Sequence, residues 1–270
     1  MAVTVVVVTR NRRAQLLRSL DRLTSLPGRP WVIVVDNGSS DGSPAAVAQR
    51  FPAVEVVAAG ANLGAAGRTI GARRASTRYV AFADDDSWWA PEALDRAEAI
   101  LDADPRVAVV AGRILVGPGE RLDPLCEQLA VGGGPELPGL PGPSIKGFAA
   151  CGAVLRRDAF LSVGGFHARF GIGGEEELLC IDLAARGWAA CYADDVVAYH
   201  HPEPAGREDR SARQVRNRLW TAWLRRPLAD CVRSTAAALA DPVGRRGLRA
   251  AVAGLPWVIA ERQPLGSTSR

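Results

Sequence analysis

The alternation of strand-like and helix-like segments in the first half of this chain constrains its fold more than any other feature. Residues 2–9 (AVTVVVVT) form a continuous β-branched run, which is typical of a strand buried on both faces. The other predicted strands are residues 31–35, 54–58, 79–83 and 107–115, and the predicted helices are residues 13–26, 43–50 with Ser43 as the N-cap, 67–75 and a helix that opens at Pro91. This order predicts an α/β domain with a mostly parallel, doubly wound sheet.

The second half of the chain has a different pattern. Residues 117–143 are rich in glycine and proline and have no clear period, so we predict a long loop there. Strand-like runs at residues 150–155 and 189–199 flank a predicted helix at residues 176–186, and the chain beyond Arg210 has helical spacing. We therefore predict one α/β domain over residues 1–205, with halves at about 1–116 and 144–205, and a helical C-terminal appendage over residues 206–270.

Composition and charge narrow the class of protein. The formal net charge of +4 is too small to indicate nucleic-acid binding, although it suits anionic ligands such as a nucleoside diphosphate. Five cysteines at irregular spacing, without a C-x-x-C pair, predict neither a disulfide framework nor a zinc knuckle. We see neither signal-peptide architecture nor an apolar run of about 18 residues, so we expect a cytoplasmic protein.

Polar residues directly follow three of the predicted strands. They are residues 9–12 (TRNR), residues 36–42 (DNGSSDG) and the triplet Asp84, Asp85 and Asp86. Ligands bind beyond the carboxyl ends of the strands in open parallel sheets, so these clusters predict a binding site at one edge. The first turn lacks the glycines of a dinucleotide-binding fold, and no phosphate-cradling G-x-x-x-x-G-K-[ST] loop occurs.

The aspartate triplet carries the strongest chemical signal. Three consecutive carboxylates repel one another, and a bound divalent cation removes that repulsion. Hard oxygen ligands suit Mg²⁺ or Mn²⁺, which can bridge the phosphates of a nucleotide-sugar and stabilise the departing diphosphate. A solvated acidic turn in front of the helix that opens at Pro91 is the structural alternative.

These motifs, taken in order, resemble the family-2 glycosyltransferases with the GT-A fold. The resemblance covers residues 3–202 and rests on VVVVTRNR, VDNGSSDGS, NLGAAGRTIGARRA and FADDDSWW, followed by GGF, GEEE and YHH. It implies a metal-dependent, inverting transfer of a sugar from a UDP- or dTDP-linked donor to an acceptor hydroxyl. Two other classes stay open, namely a nucleotidyltransferase that makes the activated sugar and a catalytically inactive nucleotide-sugar-binding or scaffold protein.

The resemblance implies a donor site and a metal site at the strand ends. The donor-binding residues would be Thr9, Arg10, Asn11, Asp36, Asn62, Gly64, Arg68, Asp84 and Asp85. Thr9 and Asp36 would hold the base and ribose, and Arg68 would face a phosphate. The Mn²⁺ or Mg²⁺ ligand would be Asp86, together with His200 or His201, which alternate faces at a strand end so that only one of them can point into the site. Each of these residues also has a structural alternative: Asp36 could cap a turn, Arg68 could lie on a helix surface, and the histidines could have a packing role. His167 is interpreted as structural.

The second half would supply the general base and the acceptor contacts. Family members commonly carry Glu-Asp at the start of the second-half helix, where the second residue acts as base, and this chain has Glu176 at that position. Glu175 is the alternative base, and helix capping is the alternative role for both. A base among other carboxylates should have a raised pKa. Gly174, Trp88 and Trp89 would contact the acceptor, although both tryptophans could instead anchor their loop to the core.

The acceptor would be a polysaccharide, a lipid carrier or a small natural product. The arginine-rich residues 207–249 could contact an anionic membrane surface, which would place the protein peripherally at the inner face of the membrane. A solvated helix face and a homodimer contact are the other interpretations of these arginines.

Overall fold

The computed structural model describes residues 2–135, 137–203 and 208–265. The strands are β1 (Val3–Thr9), β2 (Trp31–Asp36), β3 (Glu55–Ala58), β4 (Tyr79–Asp84), β5 (Ser87–Trp89), β6 (Val107–Val116), β7 (Arg121–Leu122), β8 (Ala153–Arg156) and β9 (Ala189–His200). The helices are α1 (Arg13–Thr24), α2 (Ser43–Arg50), α3 (Gly67–Arg74), α4 (Ala93–Ala103), α5 (Pro124–Val131), α6 (Arg157–Ser162), α7 (Glu175–Ala184), α8 (Glu208–Arg225), α9 (Leu228–Ala238), α10 (Pro242–Val252) and α11 (Leu255–Glu261).

The strands form one sheet in the order β3-β2-β1-β4-β8-β6-β9-β5, and β7 pairs with β6. The pairs β2–β3, β1–β2 and β1–β4 are parallel, and so is the pair β6–β9. The strand β8 lies antiparallel between β4 and β6, and β5 closes the edge antiparallel to β9. The predicted mostly parallel α/β architecture is therefore confirmed.

Helices cover both faces of the sheet, because the strand side chains alternate between two apolar cores. Val5 and Val7 of β1 lie in one core with α1 and α4, whereas Val6 lies in the other with α3, α6 and α7. Burial on both faces is the reason why these strands are continuous β-branched runs rather than alternating ones.

Four features differ from the predictions. Residues 117–143 are not one loop, since they contain β7 and α5. Asp123 caps α5 by accepting from Leu125 N, and Pro124 is its first residue, so a sequence signal for this helix was present. Helix α6 and strand β5 are not among the predicted elements, because both are too short to show a hydrophobic period. Ser43 is the first residue of α2 rather than its N-cap, and Asp41 Oδ1 accepts from both Ser43 N and Oγ.

The predicted helical C-terminal appendage is confirmed as α8 to α11. These helices share a third apolar core, which also takes in Phe170 and Leu178 of the α/β domain. Arg225 of α8 forms an ion pair with Asp182 of α7, and Nη2 of Arg225 lies 3.0 Å from Oδ2. The boundary predicted at residues 205 and 206 lies outside the described residues. Within the parts of the chain that are described, none of the helices combines the length and apolar character of a membrane span.

Candidate active site

Strand register brings three of the predicted polar clusters to one edge of the sheet. Thr9 at the end of β1 pairs with Asp36 at the end of β2, and Val8 pairs with Asp84 at the end of β4. The carboxyl ends of these parallel strands therefore meet, as expected for a ligand site in an open sheet.

Asp36 and Asn37 present buried oxygen atoms at this edge. Asp36 Oδ2 accepts from Ser39 N at 3.0 Å, whereas Oδ1 has no hydrogen-bond partner among the described residues. Asn37 donates from Nδ2 to Gly64 O at 3.0 Å, and its Oδ1 also lacks a partner in the described part of the chain. Buried polar atoms are normally paired, so a water molecule or a ligand would complete these two acceptors at the strand edge.

The remaining predicted donor residues shape the loops around this edge. Asn11, with φ of +53°, accepts from Ser40 N at 2.7 Å and so ties the first loop to the second. Asn62 Oδ1 accepts from Gly64 N at 3.1 Å. Arg10 is exposed. Asn11 and Asn62 thus position loops, and the buried acceptor atoms belong to Asp36 and Asn37.

Asp85 points away from solvent and is held by the first strand and α1. Thr9 Oγ1 donates to Asp85 Oδ2 at 2.9 Å, Ser19 Oγ donates to Asp85 O at 2.9 Å, and Arg12 Nε lies 2.8 Å from Asp85 Oδ1. Arg12 also donates from Nη2 to Asp86 Oδ2 at 2.6 Å. Burial, followed by the charges of Asp86 and Asp84, raises the pKa of Asp85 to about 7, while Arg12 and Thr9 oppose that rise.

Asp84 points toward α3, where it forms an ion pair with Arg68. Arg68 is only 6% exposed, so it is not the surface arginine of the structural alternative. Burial by itself lowers the pKa of Arg68, but the charges of Asp84, Glu175 and Glu176 raise it overall. Arg68 is therefore paired with the first aspartate of the triplet, and the charges of the two glutamates that start α7 also act on its pKa.

Glu175 and Glu176 begin α7 after a glycine turn. Gly173 and Gly174 have φ values of +97° and +90°, and Asn217 of α8 fixes the turn by donating to Gly173 O at 2.6 Å and to Phe170 O at 2.9 Å. Glu175 is 2% exposed, and its Oε2 has no hydrogen-bond partner in the described residues. Glu176 is partly exposed.

Both glutamates have raised pKa values. Burial raises the pKa of Glu175, and burial together with the neighbouring charge of Glu175 raises the pKa of Glu176. Carboxyl groups in this state accept a proton closer to neutral pH than an ordinary glutamate does, which is what a general base requires.

The pairing of β5 with β9 brings His200 to the aspartate triplet. Ser87 pairs with His200, and His201 N donates to Asp86 O at 2.8 Å. His200 Nε2 lies 3.3 Å from Asp86 Oδ1, whereas the ring of His201 packs on Trp88 with centroids 4.6 Å apart. Of the two adjacent histidines, His200 is thus the one whose ring meets the carboxylates.

Three potential metal ligands cluster at this point. One ligand atom each from Asp84, Cys151 and His200 lies within 4.8 Å of the other two. Asp86, which contacts the same histidine, stands beside them. Of the predicted ligands this cluster contains His200, whereas its carboxylate is Asp84, which was predicted to bind the donor, rather than Asp86. Carboxylate and imidazole donors are of the kind that suits a divalent cation.

The two tryptophans after the triplet have different surroundings. Trp89 is 1% exposed and packs inside the core, which favours the alternative that it anchors its loop to the core. Trp88 stacks on Tyr199 at 5.8 Å and lines a cavity of about 890 Å³ between α1 and β9. Asp86, Arg18 and Arg22 also line this cavity, so one carboxylate of the triplet faces it.

Four residues of the site were not predicted as members: Arg12, Asn37, Cys151 and Asn217. Arg12 and Asn37 stand in the polar clusters that follow β1 and β2, so the sequence contained a signal for both. Cys151 and Asn217 reach the site through chain segments far away in sequence, and nothing local marks them.

Comparison with known proteins identifies the family. The family model described as glycosyl transferase family 2 matches residues 4–164, which is more than half of the chain. The chain belongs to glycosyl transferase family 2. Because the members of this family are glycosyltransferases, we set aside the two alternatives, a nucleotidyltransferase and an inactive scaffold protein.

Individual relatives agree with this assignment. The family-2 glycosyltransferase is 30% identical to an N-acetylglucosaminyl-diphospho-decaprenol L-rhamnosyltransferase of Mycobacterium tuberculosis, over 91% of this chain and 94% of the relative. Two similar solved structures confirm the GT-A-type fold. The mannosyltransferase PcManGT from Pyrobaculum calidifontis, in complex with GDP-Man and Mn2+, has a TM-score of 0.60 at 22% identity and covers 97% of this chain and 72% of that one. S. aureus TarS 1-349 has a TM-score of 0.63 at 17% identity, over 93% of this chain and 71% of that one.

Proposed function

We propose that this family-2 glycosyltransferase transfers a deoxyhexose from a UDP- or dTDP-linked donor to a hydroxyl of a lipid-linked saccharide, with inversion at the anomeric carbon. The observation that carries the proposal is the buried ion pair of Arg68 with Asp84, on the donor side, together with the effect of the Glu175 and Glu176 charges, on the acceptor side, on the pKa of the same guanidinium. A leaving diphosphate and an incoming hydroxyl can therefore meet at one place in the sheet edge.

The donor nucleoside lies over the ends of β1 and β2. The buried oxygens of Asp36 and Asn37 support this placement, because a nucleobase or ribose offers donors for both of them. Thr9 also acts through Asp85, whose carboxylate it fixes.

A divalent cation, Mn²⁺ or Mg²⁺, would be held by Asp84, Asp86 and His200. Such a cation supplies charge stabilisation for the nucleoside diphosphate as it leaves, in place of a general acid. In the protein alone, Arg12 pairs with Asp85 and Asp86, so it balances the charge of the triplet before ligands bind.

Glu176 is the proposed general base. It takes the proton from the acceptor hydroxyl while that oxygen forms a bond to the anomeric carbon and the bond to the diphosphate oxygen breaks. One displacement at one carbon inverts its configuration. Burial, together with the charge of Glu175, keeps the pKa of Glu176 raised, and Arg68 limits that rise because its positive charge favours the ionised form.

The nature of the sugar and the acceptor is inferred from the relative that is 30% identical over nearly its whole length, since its name specifies an L-rhamnosyl group and a diphospho-decaprenol carrier. A carrier of that kind resides in a bilayer, and the C-terminal helices offer a matching surface. Leu228 and Val232 are 72% and 69% exposed and stand four residues apart on α9, which puts them on one helix face. Exposed arginines on α9 and α10 add attraction to anionic lipid.

Donor binding is tested by thermal unfolding against UDP-, dTDP- and GDP-linked sugars, each with and without Mn²⁺ or Mg²⁺. A ligand at about 100 times its Kd raises the free energy of unfolding by about 2.7 kcal/mol, so the correct pair raises Tm clearly. We expect a shift that needs both a cation and one nucleotide class, and that disappears in Asp86→Ala. No shift with any donor would overturn the proposal.

Transfer is then tested with the bound donor and a short polyprenyl diphosphate N-acetylglucosamine acceptor, and the anomeric configuration of the product is read by NMR. Retention of configuration would exclude the single displacement. Membrane contact is tested by sedimentation with anionic vesicles, where Leu228→Glu/Val232→Glu should bind less than the wild type. Val131→Glu, a similarly exposed apolar position outside the C-terminal helices, is the matched control.

A further inference from the structure

We propose that Asn217 is a positioning residue for the general base, which makes helix α8 of the C-terminal appendage a part of the catalytic apparatus. Asn217 holds the glycine turn that precedes Glu176 and so fixes the place of that carboxylate relative to the acceptor hydroxyl. We take Glu176 as the base from the proposed function above, on which this inference rests. Asn217 itself touches none of the reacting atoms and acts through the backbone of the turn.

Asn217 is completely buried against this turn. Its Nδ2 donates to Gly173 O at 2.6 Å and to Phe170 O at 2.9 Å, and the side chain is 0% exposed. Glycines permit the close approach, since an added Cβ would lie 3.4 Å from Asn217 Cβ at Gly174 and 3.3 Å from Gln214 Cγ at Gly173. The turn therefore packs directly on α8.

Arg216 determines which way the amide of Asn217 faces. Its Nε donates to Asn217 Oδ1 at 2.9 Å, and its Nη2 donates to Phe170 O at 2.8 Å. The guanidinium is itself held over the Trp220 ring, 4.3 Å from the centroid. Because a donor lies on one side of the amide and two carbonyl acceptors lie on the other, only this orientation of Asn217 satisfies both of its ends.

The hydrogen bond to Gly173 O acts on Glu176 through a single peptide unit. The C=O of Gly173 and the N–H of Gly174 belong to one planar trans peptide and point in opposite directions. By holding the carbonyl, Asn217 therefore sets the direction of the Gly174 N–H. Burial and the charge of Glu175 raise the pKa of Glu176, whereas the backbone of Gly174 is among the groups that oppose this rise. Asn217 thus keeps a backbone dipole directed at the carboxylate of the base.

Asn217→Leu tests this role in the full chain. Leucine has nearly the same shape and suits a helix, but it has no donor for the two carbonyls. The substrates are dTDP-L-rhamnose and a short polyprenyl diphosphate N-acetylglucosamine. We expect kcat to fall about 10–100-fold, because a small displacement of a reacting group has an effect of that size. The acceptor KM and the calorimetric Kd of the donor should change by less than about threefold. Asn217→Ala should show the same split between kcat and binding.

Leu224→Ala is the matched control for a general loosening of the C-terminal helices. Leu224 is 1% exposed and lies two helical turns beyond Asn217 in the same apolar core. This variant should lose a comparable amount of Tm and keep kcat within about threefold of the wild type. Equal losses of kcat in Leu224→Ala and Asn217→Leu would overturn the inference, and so would a wild-type kcat in Asn217→Leu.

A double-mutant cycle with Glu176→Gln shows whether Asn217 acts through the base. In the Glu176→Gln background, Asn217→Leu should lower kcat by less than about threefold, because the group that it positions is already inactive. A further loss as large as that in the wild-type background would mean that Asn217 acts by another route, which contradicts the inference.

These outcomes are separable from those of the proposed function. Loss of activity in Glu176→Gln but not in Asn217→Leu contradicts only the positioning role. A wild-type kcat in Glu176→Gln contradicts the proposed base, and with it the role of Asn217 in positioning that base. Hydrogen exchange tests the hold on the turn without turnover. The amides of residues 171–177 should exchange at least about tenfold faster in Asn217→Leu than in Leu224→Ala, and equal protection in the two variants would overturn the inference.

Discussion

Arg68 donates from its buried guanidinium to Asp84, and the same cation lies close enough to Glu175 and Glu176 for their charges to affect its pKa. The donor half and the acceptor half of the site therefore share one positive charge. Removing that charge leaves Asp84 without its ion-pair partner and Glu175, which is buried, without a nearby positive charge.

Arg68→Met should lower the free energy of unfolding by about 3 kcal/mol, because it leaves Asp84 and the buried Glu175 without their buried cation. Urea denaturation measures the change. Arg74→Met, which removes an exposed ion pair with Glu55, is the control and should cost no more than about 1 kcal/mol. If Arg68→Met lowers the free energy of unfolding no more than this control does, Arg68 does not stabilise the carboxylates.

Glu176→Gln should lower kcat by about 10²–10⁴-fold, because the amide cannot accept the proton of the acceptor hydroxyl. Donor affinity, measured by calorimetry, should stay near the wild-type value. Glu177→Gln, in the same first turn of α7, should behave like the wild type. A larger loss in Glu175→Gln than in Glu176→Gln would assign the base to Glu175 instead.

The raised pKa of Glu176 should appear in the pH dependence of kcat/KM. The base must be ionised to act, so kcat/KM should rise with pH through a pKa above the ordinary glutamate value of 4.5. Glu175→Gln removes the neighbouring negative charge and should move this rise to lower pH. An unchanged profile in that variant would show that the two carboxyl groups do not interact.

The same shift has a consequence for stability. The folded state holds the Glu176 proton to a higher pH than the unfolded state does, so the free energy of unfolding falls as the pH rises from about 4.5 toward the raised pKa. Glu176→Gln should therefore be less sensitive to pH than the wild type over that window. Urea denaturation at several pH values provides the comparison, and parallel curves would contradict the shift.

Gly64→Ala should be more destabilising than Gly60→Ala. Both glycines have positive φ, which costs about 1–2 kcal/mol for alanine. At Gly64 the added Cβ would also lie 2.5 Å from Gly171 O in the loop before α7, whereas nothing lies within 4 Å at Gly60. The clash should add about 1–3 kcal/mol. Equal Tm losses in the two variants would show that this loop moves aside freely.

Much of the α/β domain follows from local sequence, since β1, β2 and β4 are buried on both faces and each must consist of a continuous apolar run. Polar residues directly after those runs must stand at the carboxyl edge of a parallel sheet, so the amino-acid sequence alone is enough to assign Asp36 and the aspartate triplet to that edge. The period of an amphipathic helix likewise identifies α1 and α4.

The antiparallel insertion of β8 and the pairing of β5 with β9 depend on contacts between segments that are distant in sequence. A strand of three or four residues has no period of its own, and it becomes ordered only when longer neighbours supply its hydrogen bonds. Those two pairings bring Cys151 and His200 to Asp84, and the packing of α8 brings Asn217 to the turn before Glu175. The polar residues at the strand ends are thus local properties of the chain. The meeting of Asp84, Cys151 and His200 and the position of Glu176 arise instead from tertiary packing, because the free energy that orders these short segments comes from residues elsewhere in the fold.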